Sequence, residues 1–180
     1  MSGRDTAWLD VGSTTGEYNP FYNPFFPMDL TLPLDNAAIE RILLHRYPFL
    51  FVDRITELEV DKRIVGIKNV SLDERYLSRT TNDGSLVLPP TILTEAVAQV
   101  GAIMILAKPE NRQRLIVFAG IERVRYRRPV HPGDVVEIEA VVLKLRSRMG
   151  LMKGVARVGG KAVVDGTMTF ALGPVPATPA

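Results

Sequence analysis

Between residues 34 and 173 the chain changes its apolar rhythm several times, and each change predicts an element. In LDNAAIERILLHR, Ala38, Ile39, Ile42 and Leu43 recur at helical spacing, with Asp35 placed to cap the first turn. His45 and Pro48 mark its end, because proline disfavours helix in the residue before it. FLFVDRITELEV and KRIVGIKNVS are β-branched and strand-like. Residues 71 to 86 are polar and read as a loop. TILTEAVAQVGAIMIL, residues 91 to 106, is apolar on almost every face, the mark of a helix buried all round. RLIVFAGIERVRYRRPV, VVEIEAVVLKLRSR, GLMKGVARVGG and KAVVDGTMTFAL then predict long strands, with HPGD as a turn. Consecutive strands joined by short turns pair antiparallel. The economical arrangement is α+β: one curved antiparallel sheet wrapped around one long central helix.

The ends differ from this body. Residues 1 to 33 contain GEYNPFYNPFFPMDLTLP, where proline blocks a long helix or a central strand. They read as a loose arm, or as an arm whose aromatics dock on the body or on a partner. The expected domain spans residues 34 to 173. Residues 174 to 180 have the composition of a disordered tail.

The central helix carries a polar seam. Thr91, Glu95 and Gln99 recur at every fourth position and share one stripe, with Thr94 beside them. Such a seam is either a hydrogen-bonded core network or the lining of a site. A lone buried carboxyl is costly, so Glu95 is the first candidate for chemistry.

Composition narrows the classes. A net charge of +2 is too small to argue for nucleic acid. The chain has no Cys, which excludes disulfides and thiolate chemistry, and two His, too few for a multi-histidine metal site. No metal and no cofactor is expected. MSGRDTAWLD lacks the pattern of a secretory signal, and the apolar run of residues 96 to 106 is too short to span a bilayer. A cytoplasmic protein is expected.

Five segments carry a resemblance: LLHRYPFLFVDRI (43 to 55), IVGIKNVS (64 to 71), VLPPTILTEAVAQ (87 to 99), FAGIERVRYRRPVHPGD (118 to 134) and VVDG (163 to 166). In these segments and their order the chain resembles the 3-hydroxyacyl-(acyl carrier protein) dehydratases of type II fatty acid synthesis. That resemblance implies the hot-dog fold, a 3-hydroxyacyl thioester substrate and a site at a dimer interface. There, a His of one protomer faces a Glu on the other protomer's central helix. The family pattern GHFPGxPVMPG, aligned on Val87, Leu88, Pro89 and Pro90, brings the family acid onto Glu95. It also brings the catalytic His onto Thr81, and the glycine whose N–H polarises the thioester carbonyl onto Pro90.

Dehydration needs a base for the α-proton and an acid for the leaving hydroxyl. Thr81 offers no useful basicity near neutral pH, and Pro90 has no N–H to donate. The resemblance therefore implies a dehydratase whose standard machinery is degraded. Asp83 in the same loop is a candidate second carboxyl for the site, or the turn residue of Asn-Asp-Gly. The Thr91 N–H is a candidate replacement donor. His45 reads as structural and His131 as a surface residue of its turn.

Three functions remain open. One is the binding or processing of acyl thioesters on acyl carrier protein or coenzyme A. Arg123, Arg125, Arg127, Arg128, Lys144, Arg146 and Arg148 then either suit an acidic carrier or form a solvated sheet face. Another is an acyl thioesterase in which Glu95 activates water. The third is a non-catalytic hot-dog subunit. The implied assemblies are a homodimer, a trimer of dimers, or a heterodimer with a His-bearing relative.

Overall fold

The computed structural model describes residues 30–80, 82–112 and 114–173. Thr81, almost all of the N-terminal arm and the tail lie outside the described residues. The first helix, α1, spans Asn36–Ile42, and the Asp35 carboxylate accepts from the Ala38 N–H at 2.8 Å. It buries Ile39 and Ile42. Strands β1 (Arg54–Glu59) and β2 (Arg63–Asn69) follow, then two short strands, β3 (Ser78–Arg79) and β4 (Leu86–Val87). Helix α2 spans Pro90–Leu106, and a 3-10 turn at Pro109–Asn111 leads to β5 (Leu115–Tyr126), β6 (Val135–Leu145), β7 (Met149–Val158) and β8 (Lys161–Gly173).

Six strands form one sheet in the order β1-β2-β6-β7-β8-β5, with every neighbouring pair antiparallel. The sheet wraps α2, which is buried from Leu93 to Leu106 except at Glu95. This is the hot-dog arrangement that the resemblance implies. Missing side chains let helix and sheet approach: a Cβ on Gly154 of β7 would lie 2.1 Å from Val97 Cγ1, and one on Gly101 of α2 would lie 2.3 Å from Met152 Sδ. The opposite face of the sheet is wet. There Arg63 donates to Glu57 and to Glu139, and Arg157 donates to Glu139, so four strands are tied by one ionic chain.

Two stretches differ from the sequence expectation. Phe49 to Asp53 is not strand; the Phe51 N–H donates to the Gln99 side chain at 2.9 Å rather than to a ladder. The polar stretch 71 to 86 is not all loop, because Ser78 pairs with Val87 and Arg79 with Leu86. Strands of two residues carry no readable alternation. The buried Lys68 donates to Glu74 Oε2 at 2.6 Å and sits 5.5 Å above the Phe51 ring. That pair and the Phe51–Tyr76 edge contact fasten residues 71 to 80 beside the HRYPFLF segment.

Strand β5 is an edge strand with two β-bulges, at Phe118/Gly120 and Glu122/Arg125. Strand side chains alternate faces, so Ile121, an odd number of positions from both Phe118 and Tyr126, would ordinarily not share theirs. Each bulge inserts an unpaired residue and restores the phase. Phe118, Ile121 and Tyr126 consequently pair with Phe170, Met168 and Val164, all buried, and all three face the helix side. Arg123, within the second bulge, adopts φ 52°, a left-handed conformation that non-glycine residues take only when their surroundings impose it.

Candidate active site

Helix α2 positions the seam as the fourfold spacing predicts. Gln99, almost fully buried, makes three bonds: its Nε2 donates to Phe49 O at 2.8 Å and to Glu95 Oε1 at 3.0 Å, and its Oε1 accepts from Phe51 N. One amide thereby fixes both the carboxyl of Glu95 and the backbone of the segment that passes over it. The other face of Glu95 opens on a cleft of about 220 Å³ between α2 and β5, lined by Thr91, Thr94, Glu95, Ala98, Phe118, Ile121 and Tyr126. Thr94 Oγ1 donates to Pro90 O at 3.1 Å and lies 3.2 Å from Tyr126 Oη.

His45 Nε2 stands 3.6 Å from Glu95 Oε1 within the same chain. This is longer than a hydrogen bond, and the contact is electrostatic. The sequence reading took His45 as structural; the structure sets its ring beside Glu95, from the segment just after α1. The ring stacks on Phe49, and its Nδ1 is buried with no partner among the described residues. A proton on Nδ1 would be a buried, unpaired donor, so the favoured neutral tautomer carries it on Nε2, toward Glu95. Burial pushes the His45 imidazole below its ordinary value; Glu95 opposes the shift and Arg46 adds to it. His45 is not among the residues that line the cleft and meets that space only through Glu95.

That shift has a measurable sign. The folded chain takes up the His45 proton at lower pH than the unfolded chain does, so stability falls as pH drops below the unfolded value of 6.5. Between about pH 6.5 and 5, the melting temperature of His45→Gln is expected to depend less on pH than that of the wild type. Equal slopes would remove this account. The carboxylates of Glu139 and Asp165, held low chiefly by hydrogen bonds from Arg63 and Arg127, act only in more acid solution.

The remaining sequence candidates separate. Asp83 is held by its own turn: it accepts from the Thr80 hydroxyl and from the Ser85 N–H at 2.9 Å, bonds that keep its carboxyl well below the usual range. It forms no pair with Glu95. Pro90 is the first residue of α2, and Pro89 before it gives no side-chain cap. Thr91 lies on the cleft wall. His131 Nδ1 lies 2.9 Å from Leu86 O, joining the turn after β5 to β4. Of the basic residues, Arg127 is engaged by Asp165, whereas Lys144 and Arg146 flank a separate groove with Met149 and Leu151. Sequence reasoning missed Tyr126; only a bulge brings it to the same face as Ile121.

Comparison with known proteins agrees with this fold. A family model described as a FabA-like domain matches residues 43–167. The chain belongs to the FabA-like family. Among curated relatives, the 3-hydroxyacyl-(acyl-carrier-protein) dehydratase FabZ of Bacillus velezensis is 46% identical over 140 residues, covering 78% of this chain and 99% of the relative. The FabZ of Moorella thermoacetica is 47% identical over 140 residues, covering 78% and 97%. In fold, the FabA-like chain is similar to the dehydratase heterocomplex ApeI:P from Xenorhabdus doucetiae, with a TM-score of 0.64 at 21% identity over 74% of this chain and 89% of that one. The family match spans α2, Glu95 and His45 alike. Among the described residues, no helix is long and apolar enough to cross a membrane.

Proposed function

We propose that this chain binds 3-hydroxyacyl thioesters carried on acyl carrier protein or coenzyme A, and interconverts them slowly with 2-enoyl thioesters. The observation that carries this reading is Glu95, oriented by Gln99 and His45 and open to a cleft that is apolar on its β5 side. The near full-length similarity to enzymes named dehydratases supports the substrate class. In the forward direction the Glu95 carboxylate takes the C2 proton and then gives it to the C3 hydroxyl as that group leaves, so that water and the 2-enoyl thioester result and Glu95 ends as it began. Thr91 and Gln99 serve this step as cleft wall and as holder of the acid.

The reaction is slow because Thr81 stands where the family places its base, and Pro90 where it places an amide donor. The working unit is a homodimer or a trimer of dimers; the exposed apolar Val117 and Ile121 on the edge strand support an assembled state. A mixed dimer with a His-bearing relative would restore a base opposite this chain's Glu95 but leave Pro90 in place. The setting is cytoplasmic lipid or polyketide synthesis, in which the N-terminal arm, the hot-dog domain of residues 34 to 173 and the tail have separate roles.

The test is incubation with a 3-hydroxyacyl carrier protein and mass analysis of the thioester. Loss of one water, far slower than a His-bearing relative achieves, is the expected result. Release of free thiol would instead make the chain a thioesterase using Glu95. Tight binding without turnover would make it a non-catalytic subunit. Turnover at a relative's full rate would show that Thr81 and Pro90 do not impair the site.

A further inference from the structure

We infer that the Tyr126 hydroxyl donates to the carbonyl oxygen of the bound thioester, in place of the N–H that Pro90 lacks. The inference rests on the acyl-thioester reading and deepens it. The first turn of α2 is short of donors. Pro90 has none, Pro89 supplies no cap, and the Ile92 N–H is engaged by Pro89 O at 2.9 Å. The Thr91 N–H remains on the cleft wall as a backbone donor, and a side-chain hydroxyl adds a second for the same carbonyl.

Tyr126 is placed to give it. A threonine hydroxyl has one hydrogen, and that of Thr94 goes to Pro90 O at 3.1 Å. In the 3.2 Å contact between the two hydroxyls, Tyr126 is consequently the donor and Thr94 the acceptor. The chain Tyr126 to Thr94 to Pro90 leads from the cleft to the helix end, one residue from Glu95. Tyr126 is 50% exposed, so an incoming oxygen has access to it. Transferring its proton from Thr94 to a thioester oxygen exchanges one neutral hydrogen bond for another, while Thr94 keeps its own bond to Pro90. The second bulge of β5 provides the placement: without the extra residue, Tyr126 would point to the wet face of the sheet.

The experiment uses a saturated acyl pantetheine thioester, which has no hydroxyl to lose, labelled with carbon-13 at its carbonyl. Its infrared band is compared free and bound to wild type, Tyr126→Phe, Thr94→Val and Glu95→Gln. The band is expected to move to lower frequency on wild type and on Glu95→Gln, and to stay near its free position on Tyr126→Phe. Thr94→Val, which releases the hydroxyl from its anchor, is expected to give a broader, intermediate band. On a 3-hydroxyacyl substrate, Tyr126→Phe is expected to lower kcat about 100-fold with little change in KM. A wild-type shift that survives in Tyr126→Phe overturns the inference and leaves the proposed function standing. Binding without any shift does the same. Failure of the wild type to bind the thioester overturns both.

Discussion

Exchanging Thr81 for His and Pro90 for Gly together raises the dehydration rate of this chain by about a thousandfold. General-base catalysis by a positioned side chain contributes on the order of 10² to 10⁴. A further oxyanion donor contributes about 2.7 to 4 kcal/mol where none is present. The combined gain falls short of the product because Tyr126 already supplies part of the second term. Pro90 is exposed at the first position of α2, so glycine there disturbs no packing. The rate of 2-enoyl formation from a 3-hydroxyacyl carrier protein reads the effect. An unchanged rate would mean that the departures at positions 81 and 90 are not what limits the site. Thr81→His alone is expected to give most of the gain.

Glu95→Gln lowers the same rate by about 10³. The doubly substituted background is the place to measure it, since the higher rate there leaves room for a large loss. Glutamine keeps the length and the hydrogen-bonding ends of the side chain, so Gln99 still finds a partner at its Nε2. What disappears is the exchangeable carboxyl proton. The thermal midpoint is expected to change little, because the side chain is about 30% exposed and its removal leaves no unpaired charge within the core. Residual activity within tenfold of the parent would move the acid to another group and leave Glu95 as a structural neighbour of Gln99.

The long elements could be read from the chain because their patterns are long. Helix α2 is apolar on almost every face for four turns, and β6, β7 and β8 run for ten or more residues each, much of it in alternation. Asp35 was identifiable as a cap because capping needs one acceptor at one place. Glu95 and Gln99 were readable from their fourfold spacing, although spacing alone did not show that Gln99 also holds Phe49 and Phe51. His45 was not readable as a neighbour of Glu95. The two lie fifty positions apart in sequence, and their meeting depends on how the HRYPF segment crosses α2. That Ile121 and Tyr126 share a face was equally hidden, because a bulge leaves no mark in an apolar alternation except to break it. Asp83 was ambiguous until its bonds to Thr80 and Ser85 fixed it as a turn residue.

The irregular edge has one more effect. Among the described residues of the single chain, strand β5 leaves one side of a twelve-residue backbone unpaired, the kind of template on which foreign strands nucleate fibrils. Its regular backbone is broken into short runs, with Gly120 and Arg123 at or near the breaks. A flat intruding strand can match one run and then falls out of register at the next. The same kinks that bring two side chains to one face of the cleft thus make β5 a poor template for a foreign strand.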